Sequence, residues 1–132
     1  MIRYSNQHPV TAAELARVFK SSGIHRPYND LERLDKMLTG ANCIWTAWDD
    51  EKLVGIARAL TDFSYACYLS DLAVDKAYQK EGIGRTLIAH LREEIGDEVA
   101  LILLAAPAAM DYYPKLGFQK HHGAYIIPRK AF

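Results

Sequence analysis

The chain has 132 residues, half of them hydrophobic and 24% charged. That is one domain's worth of chain, residues 1–132, able to bury a core without disulfide or metal staples. Lys+Arg and Asp+Glu are both 16, a balance that argues against a generally basic nucleic-acid surface. The longest apolar run, 99–110, falls well short of the roughly 20 residues a membrane-crossing helix needs.

Cys43 and Cys67 sit in apolar stretches and are expected as buried, reduced thiols. The first residues carry no hydrophobic signal region, so a cytoplasmic location is expected. Ile2 to Ser5 reads as a short strand. Thr11 with Glu14 forms a capping box for a helix that buries Leu15, Val18 and Phe19 and stops near Gly23. Asn29 or Asp30 opens a second helix, with Leu31, Leu34 and Leu38 on one side and Gly40 at its end. The period then changes. Cys43–Trp48 and Leu53–Thr61, joined by a polar turn, read as a hairpin, and Tyr65–Val74 as a third strand. From Gly82 the stripe Ile83, Leu87, Leu91, Ile95 is helical. Val99–Ala105 has the continuous apolar character of a strand buried on both faces. Pro107 suits the first turn of a helix to about Leu116, and 118–121 and 124–127 are read as two last strands. The order β-α-α-β-β-β-α-β-α-β-β gives one mixed sheet between helices, an α/β (α+β) three-layer domain.

The most informative stretch runs from Asp71 through Val74 into Gln79-Lys80-Glu81-Gly82-Ile83-Gly84-Arg85. A strand enters a turn, and the turn opens a helix. The first amides of a helix lack intrahelical partners and lie at the positive end of its dipole, which makes an anion site. Glycines at 82 and 84 let a phosphate approach the main chain. The Walker pattern is absent, and the dinucleotide pattern fails because Leu87 stands at its third glycine. What remains is [QR]-x-x-G-x-[GA].

Residues 74–88 closely resemble the acetyl-CoA motif of the GCN5-related N-acetyltransferases. A second motif of that family, A-x-x-F-Y-x-K-x-G-F, is matched by Ala109 to Phe118, with Tyr112 in place of Phe. The resemblance covers the whole chain. It implies acetyl-CoA as co-substrate and no metal. It also implies that the amides of Lys80 to Arg85 hold the pyrophosphate and that the main chain of Leu72, Ala73 and Val74 pairs with the pantetheine arm, in a gap where the strands at 65–74 and 99–105 splay. Tyr113 matches the tyrosine that protonates the departing thiolate in many members. Many members carry Asn where this chain has Ala106, so one pantetheine contact is expected to be missing.

The implied reaction is attack of a neutral amine on the thioester in a ternary complex. A phenol with pKa near 10 is well matched to a thiolate of pKa about 8.5. Asp71 is the one carboxylate on the strand beside the site and the candidate base. The competing reading is structural: related members place a Glu where this chain has Tyr68, and residues 68 and 71 face opposite sides of a regular strand. His25, Arg26 and Tyr28, in the connector between the first two helices, are candidate acceptor contacts, against a solvated loop. Arg58 and Asp62 on the hairpin are further candidates. Trp45 and Trp48 are expected in the core, and His90 on the open side of its helix. The five histidines show no metal spacing. The expected partner is a small-molecule or peptide amine, and an exposed sheet edge would serve a homodimer. The alternative is a non-catalytic acyl-CoA-binding module on the same fold.

Overall fold

A computed structural model describes residues 1–132. β1 (Ile2–Ser5) leads into α1 (Ala12–Ser22) and α2 (Leu31–Gly40), followed by β2 (Cys43–Asp49), β3 (Lys52–Thr61), β4 (Ala66–Val74), α3 (Ile83–Ile95) and β5 (Ala100–Ile102). The strands lie in the order β1-β2-β3-β4-β5. All pairs are antiparallel except β4–β5, which is parallel. The hairpin β2–β3 turns through Asp50, whose φ of 52° is left-handed.

The helix boundaries follow the capping chemistry. Thr11 accepts from the Glu14 amide while Glu14 reaches back to the Thr11 amide, so two otherwise orphaned donors are satisfied at once. Asp30 caps α2 by accepting from the Arg33 amide. Gly23, at φ 82°, ends α1 in the left-handed conformation that glycine adopts without a Cβ penalty.

Each face of the sheet carries its own core. On one face α3 lays Ile83, Leu87, Ile88, Leu91 and Ile95 over Ala57, Ala59, Cys67 and Leu69. On the other, Leu15, Val18 and Phe19 of α1 and Leu34 of α2 pack on Trp48, Leu53, Ile56 and Ala73. This is the expected three-layer arrangement. Gly55 permits close approach of α3: a Cβ there would lie 3.0 Å from Ile83 Cγ2 and 3.3 Å from Leu87 Cδ1.

Two irregularities reset which side chains face which core. The β2–β3 register slips at Ala47/Trp48, leaving Val54 as the extra residue of β3. The β3–β4 register slips at Arg58/Ala59: Arg58 faces Asp71 and Ala59 faces Leu69, so Ser70 is an extra residue on β4. A bulge of this kind breaks the period of two. Before it, Cys67 and Leu69 face α3; after it, Ala73 faces α1 and α2. Tyr68 and Asp71 therefore share a face, contrary to the regular-strand expectation.

The C-terminal third departs from the sequence reading. β5 has three residues rather than seven, and Ile102 on it is 49% exposed. It is an edge strand, not a strand covered on both faces. The expected last helix is two separate 3₁₀ turns, Pro107–Ala109 and Tyr113–Leu116. Pro114 removes a helical donor and biases Tyr113 away from the α region, which breaks a continuous helix. Residues 118–132 form no strand. They run back across the molecule, where the Phe132 ring stacks on His25 at 4.4 Å and lies under the Arg33 guanidinium at 5.5 Å.

Trp48 is fully buried, with its indole N–H donating to Thr46. Trp45 is only half-buried. It stacks on His90 at 4.5 Å and donates to Glu94, so His90 is held rather than free on the surface. Cys43 and Cys67 are both buried and free. Burial, reinforced by the charge of Glu94 beside it, pushes the Cys43 thiol from 9.0 up to about 12. A folded-state pKa above the unfolded one gives stability that is complete below the unfolded value and lost above it. Stability should therefore fall as pH rises from 9 toward 12. The fall should be shallower in Cys43→Ala, as read from urea midpoints across that range; parallel profiles for the two proteins would contradict this.

Candidate active site

β4 and β5 pair only over Ala66–Tyr68 and Ala100–Ile102. Beyond Tyr68 the two chains diverge, and from Leu69 to Val74 β4 has no neighbour on that side. A cleft of about 760 Å³ opens in the gap, within the range of small-ligand sites. Its walls are the free edge of β4, the start of α3, the segment 103–109 and the turn that carries Tyr112 and Tyr113.

The floor of the cleft is the turn between β4 and α3. Lys80 has φ 73° and Gly82 has φ 80°. A left-handed lysine is unusual and costs roughly 1–2 kcal/mol, and strain of this kind collects at binding sites. Gly82 is the N-cap of α3 and supplies no side-chain bond to the first turn, which leaves the α3 amides free for an anion. Lys80, Arg85 and Lys115 add positive charge along the same wall. Of the residues expected to hold the co-substrate, Leu72, Ala73, Val74, Gln79, Lys80, Gly82, Ile83, Gly84 and Arg85 line the cleft. Glu81 does not. The Gln79 amide folds back to donate to the Val74 carbonyl at 2.9 Å, fixing the turn to the strand. Ala106 lines the cleft as well, with no side-chain donor or acceptor to offer.

Tyr113 is half-buried in the cleft wall, its ring edge-on to Tyr112 at 5.3 Å and to Phe118 at 5.5 Å. Burial raises its pKa, the neighbouring Tyr112 adds to the rise, and the charge of Arg26 pulls against it. An ordinary tyrosine already keeps its proton at neutral pH, and burial extends that range upward. Tyr112 stands out in the sequence only as a replacement for Phe, and its role emerges from the structure. Its hydroxyl lies over Gly84, 2.5 Å from where a Cβ would stand, so Gly84 makes room for a phenol as well as for a ligand.

Asp71 is not placed to act as a base. Its side chain is 0% exposed, and each oxygen accepts from a guanidinium: Oδ1 from Arg26 Nε and Oδ2 from Arg58 Nε. The bulge turns it toward α1 and α2 and into this pair. Arg58, expected as an acceptor contact, is equally committed. It lies buried, donating also to Ser70 Oγ at 2.9 Å and to the Met37 carbonyl at 3.2 Å. Arg26 differs. It donates to Asp71, to the Ser70 carbonyl at 2.7 Å and to the His25 carbonyl at 2.7 Å, yet its side chain stays 27% exposed and lines the cleft. His25 points away, onto Phe132. Tyr28 packs on the α1–α2 core. Asp62 is outside the cleft, where it accepts from the amides of Ser64, Tyr65 and Ala66 in the turn before β4. Of the three connector candidates only Arg26 lines the cleft.

These features define a three-layer α/β protein with a cationic cleft at a sheet splay, a helix start with free amides on one side and a phenol on the other. Residues 9–126 match the acetyltransferase (GNAT) domain, and the chain belongs to that family. It is 35% identical over 75 residues to GCN5-related N-acetyltransferase 2, chloroplastic, of Arabidopsis thaliana, covering 53% of this chain and 28% of that protein. An uncharacterised N-acetyltransferase of Gracilaria tenuistipitata var. liui is 26% identical over 119 residues, 87% of this chain and 63% of its own length. The chain spans 28–32% of the length of the three relatives it matches in Arabidopsis thaliana and Glycine max. Among solved structures, a protein of unknown function from meticillin-resistant Staphylococcus aureus superposes with a TM-score of 0.84 at 24% identity, covering 99% of this chain and 100% of the other. AAC(6')-Iy, in complex with the bisubstrate analogue CoA-S-monomethyl-acetylneamine, superposes with a TM-score of 0.71 at 14% identity and 99% coverage of both chains. At such identities the likeness is one of fold.

Two substitutions probe the site's construction. Asp71→Asn removes the charge between two guanidiniums and should cost about 3–5 kcal/mol in urea unfolding; a loss below about 1 kcal/mol, as for a surface pair, would contradict the clamp. Gly82→Ala meets no atom within 4 Å, so its cost is conformational. Stability should fall by about 1–2 kcal/mol and CoA affinity with it, by calorimetry.

Proposed function

We propose that this chain transfers the acetyl group of acetyl-CoA to a primary amine by direct attack within a ternary complex. The observation that carries the reading is the pairing, in one cleft, of a helix-opening turn with free amides and the Tyr113 phenol. Membership of the acetyltransferase family supports it.

The residues fit the co-substrate. The α3 amides from Lys80 to Arg85, with the Lys80, Arg85 and Lys115 side chains, suit a pyrophosphate. The unpaired edge of β4 suits an amide-bearing arm, which would add to it as a strand does. When bound, acetyl-CoA supplies a thioester-activated acetyl group. The chain's own residues do the rest. β4 and the 103–106 segment exclude water from the two sides of the arm. Arg26, anchored by Asp71, keeps the acceptor end of the cleft positive and so favours the uncharged form of an arriving amine. Tyr113 donates its phenolic proton to the departing sulfur. A phenol of raised pKa is a weaker acid than free tyrosine, but it keeps its proton to higher pH, where more of the amine is uncharged. With Asp71 bound to two guanidiniums, proton removal from the amine falls to water in the cleft.

The test is thiol release from acetyl-CoA with a panel of amines. Tyr113→Phe should lower kcat by about 100-fold or more while acetyl-CoA binding by calorimetry stays within a few-fold of wild type. An unchanged kcat would remove Tyr113 from the reaction. Tight CoA binding without turnover of any amine would favour a binding module instead.

A further inference from the structure

The charges lining the cleft are all of one sign. Among its 26 lining residues there is no Asp or Glu, while Arg26, Lys80, Arg85 and Lys115 are basic. Three of these cations stand on the α3 and Tyr113 side, along the wall suited to the anionic end of the co-substrate. Arg26 stands apart from them. It comes from the α1–α2 connector, on the opposite side of β4, and its charge is felt at the Tyr113 hydroxyl.

Arg26 is also prepared for a ligand. Its Nε is held by Asp71, and its Nη2 and Nη1 each donate to one main-chain carbonyl, Ser70 and His25. A guanidinium carries five N–H groups; three are engaged, and each terminal nitrogen keeps one. The anchoring carboxylate does not cancel the charge, because Asp71 is shared with Arg58. Two guanidiniums against one carboxylate leave the cluster with one net positive charge, and Arg26, 27% exposed against 8% for Arg58, is the member that meets the cleft. A fixed, planar guanidinium with free N–H groups on both terminal nitrogens suits a carboxylate.

We infer that the acceptor is an amine that also carries a carboxylate, an amino acid or a close relative, and that Arg26 holds that carboxylate while the amine reaches the acetyl group beside Tyr113. This rests on the acetyl-transfer reading above and names its substrate class. A second ammonium group on the acceptor finds no anion in the cleft to receive it, so polyamines and aminoglycosides are poor substrates here, despite the shared fold of AAC(6')-Iy.

The experiment compares, on the full chain, an amino acid, its carboxamide and a diamine. Activity is followed by thiol release, and binding to the CoA-loaded protein by calorimetry. The carboxamide is the stricter control, since its amine is the more readily deprotonated. The amino acid is expected to be preferred in kcat/KM by roughly 10- to 100-fold, the worth of one charge-assisted contact. The preference should appear mainly in KM and collapse toward unity in Arg26→Gln, with part of it retained in Arg26→Lys. Equal use of acid and amide, or a preference for the diamine, overturns the inference and leaves acetyl transfer standing. Should no amine turn over, acetyl transfer falls. Calorimetry then decides the inference alone: Arg26-dependent binding of the amino acid over its carboxamide supports it, and equal or absent binding overturns it. The wild-type comparison stands if the Arg26 variants fold poorly.

Discussion

Asp71 joins three parts of the molecule that the chain presents separately. Through Arg26 it ties the α1–α2 connector to the sheet, and through Arg58 it ties β3 to β4. Both guanidiniums also reach Ser70, Arg26 at its carbonyl and Arg58 at its hydroxyl. The extra residue at the bulge would otherwise leave its main chain unpaired inside the protein, at a cost of about 1–3 kcal/mol. The ion cluster and the bulge therefore stabilise each other. A buried carboxylate with two guanidinium partners leaves no buried polar side-chain atom unsatisfied, which is the condition under which such a cluster is tolerated.

The cleft depends on this arrangement. β4 is paired to β3 along its whole length but to β5 over only three residues. Past the bulge its outer edge is open, and the space is bounded by α3 on one face and Arg26 on the other. The two ends of the cleft are thus set by different elements. The β4–α3 turn, with its left-handed Lys80 and Gly82, is built from residues adjacent in sequence. The other end is built from a connector residue brought in over a separation of 45 positions. The second end is therefore independent of the turn, which accords with fold alone carrying no acceptor identity.

Tyr113 stands between the two ends. Its ring is packed by Tyr112 and Phe118, and it opens a 3₁₀ turn with Pro114 next in the chain, on the wall of the cleft. Burial raises its pKa, and the charge of Arg26 tempers that effect. The same guanidinium lines the cleft and acts on the phenol in its wall.

Much was legible in the sequence because it is local physics. The capping box of Thr11 and Glu14, the stripe Ile83, Leu87, Leu91, Ile95 and the hairpin of β2 and β3 about its polar turn each depend on residues within a few positions of one another, and so does the helix-opening turn from Gln79 to Gly84. What the tertiary structure decided depends on partners distant in the chain. No residue type marks Ser70 as a bulge, yet the bulge reversed the side on which Asp71 lies and made it a clamp instead of a base. The apolar run after Val99 fits a buried strand equally well, but only three of its residues find a partner in β4, and the far edge has none. His25, Arg26 and Tyr28 look alike as a connector triplet; packing sent one to Phe132, one to the α1–α2 core and one to the cleft. Sequence by itself determined the family, the layers and the turn that opens α3, because hydrophobic period and helix-end geometry act over short separations. The burial and charge partners of Asp71, Arg26 and Arg58 were fixed only when the sheet brought them together.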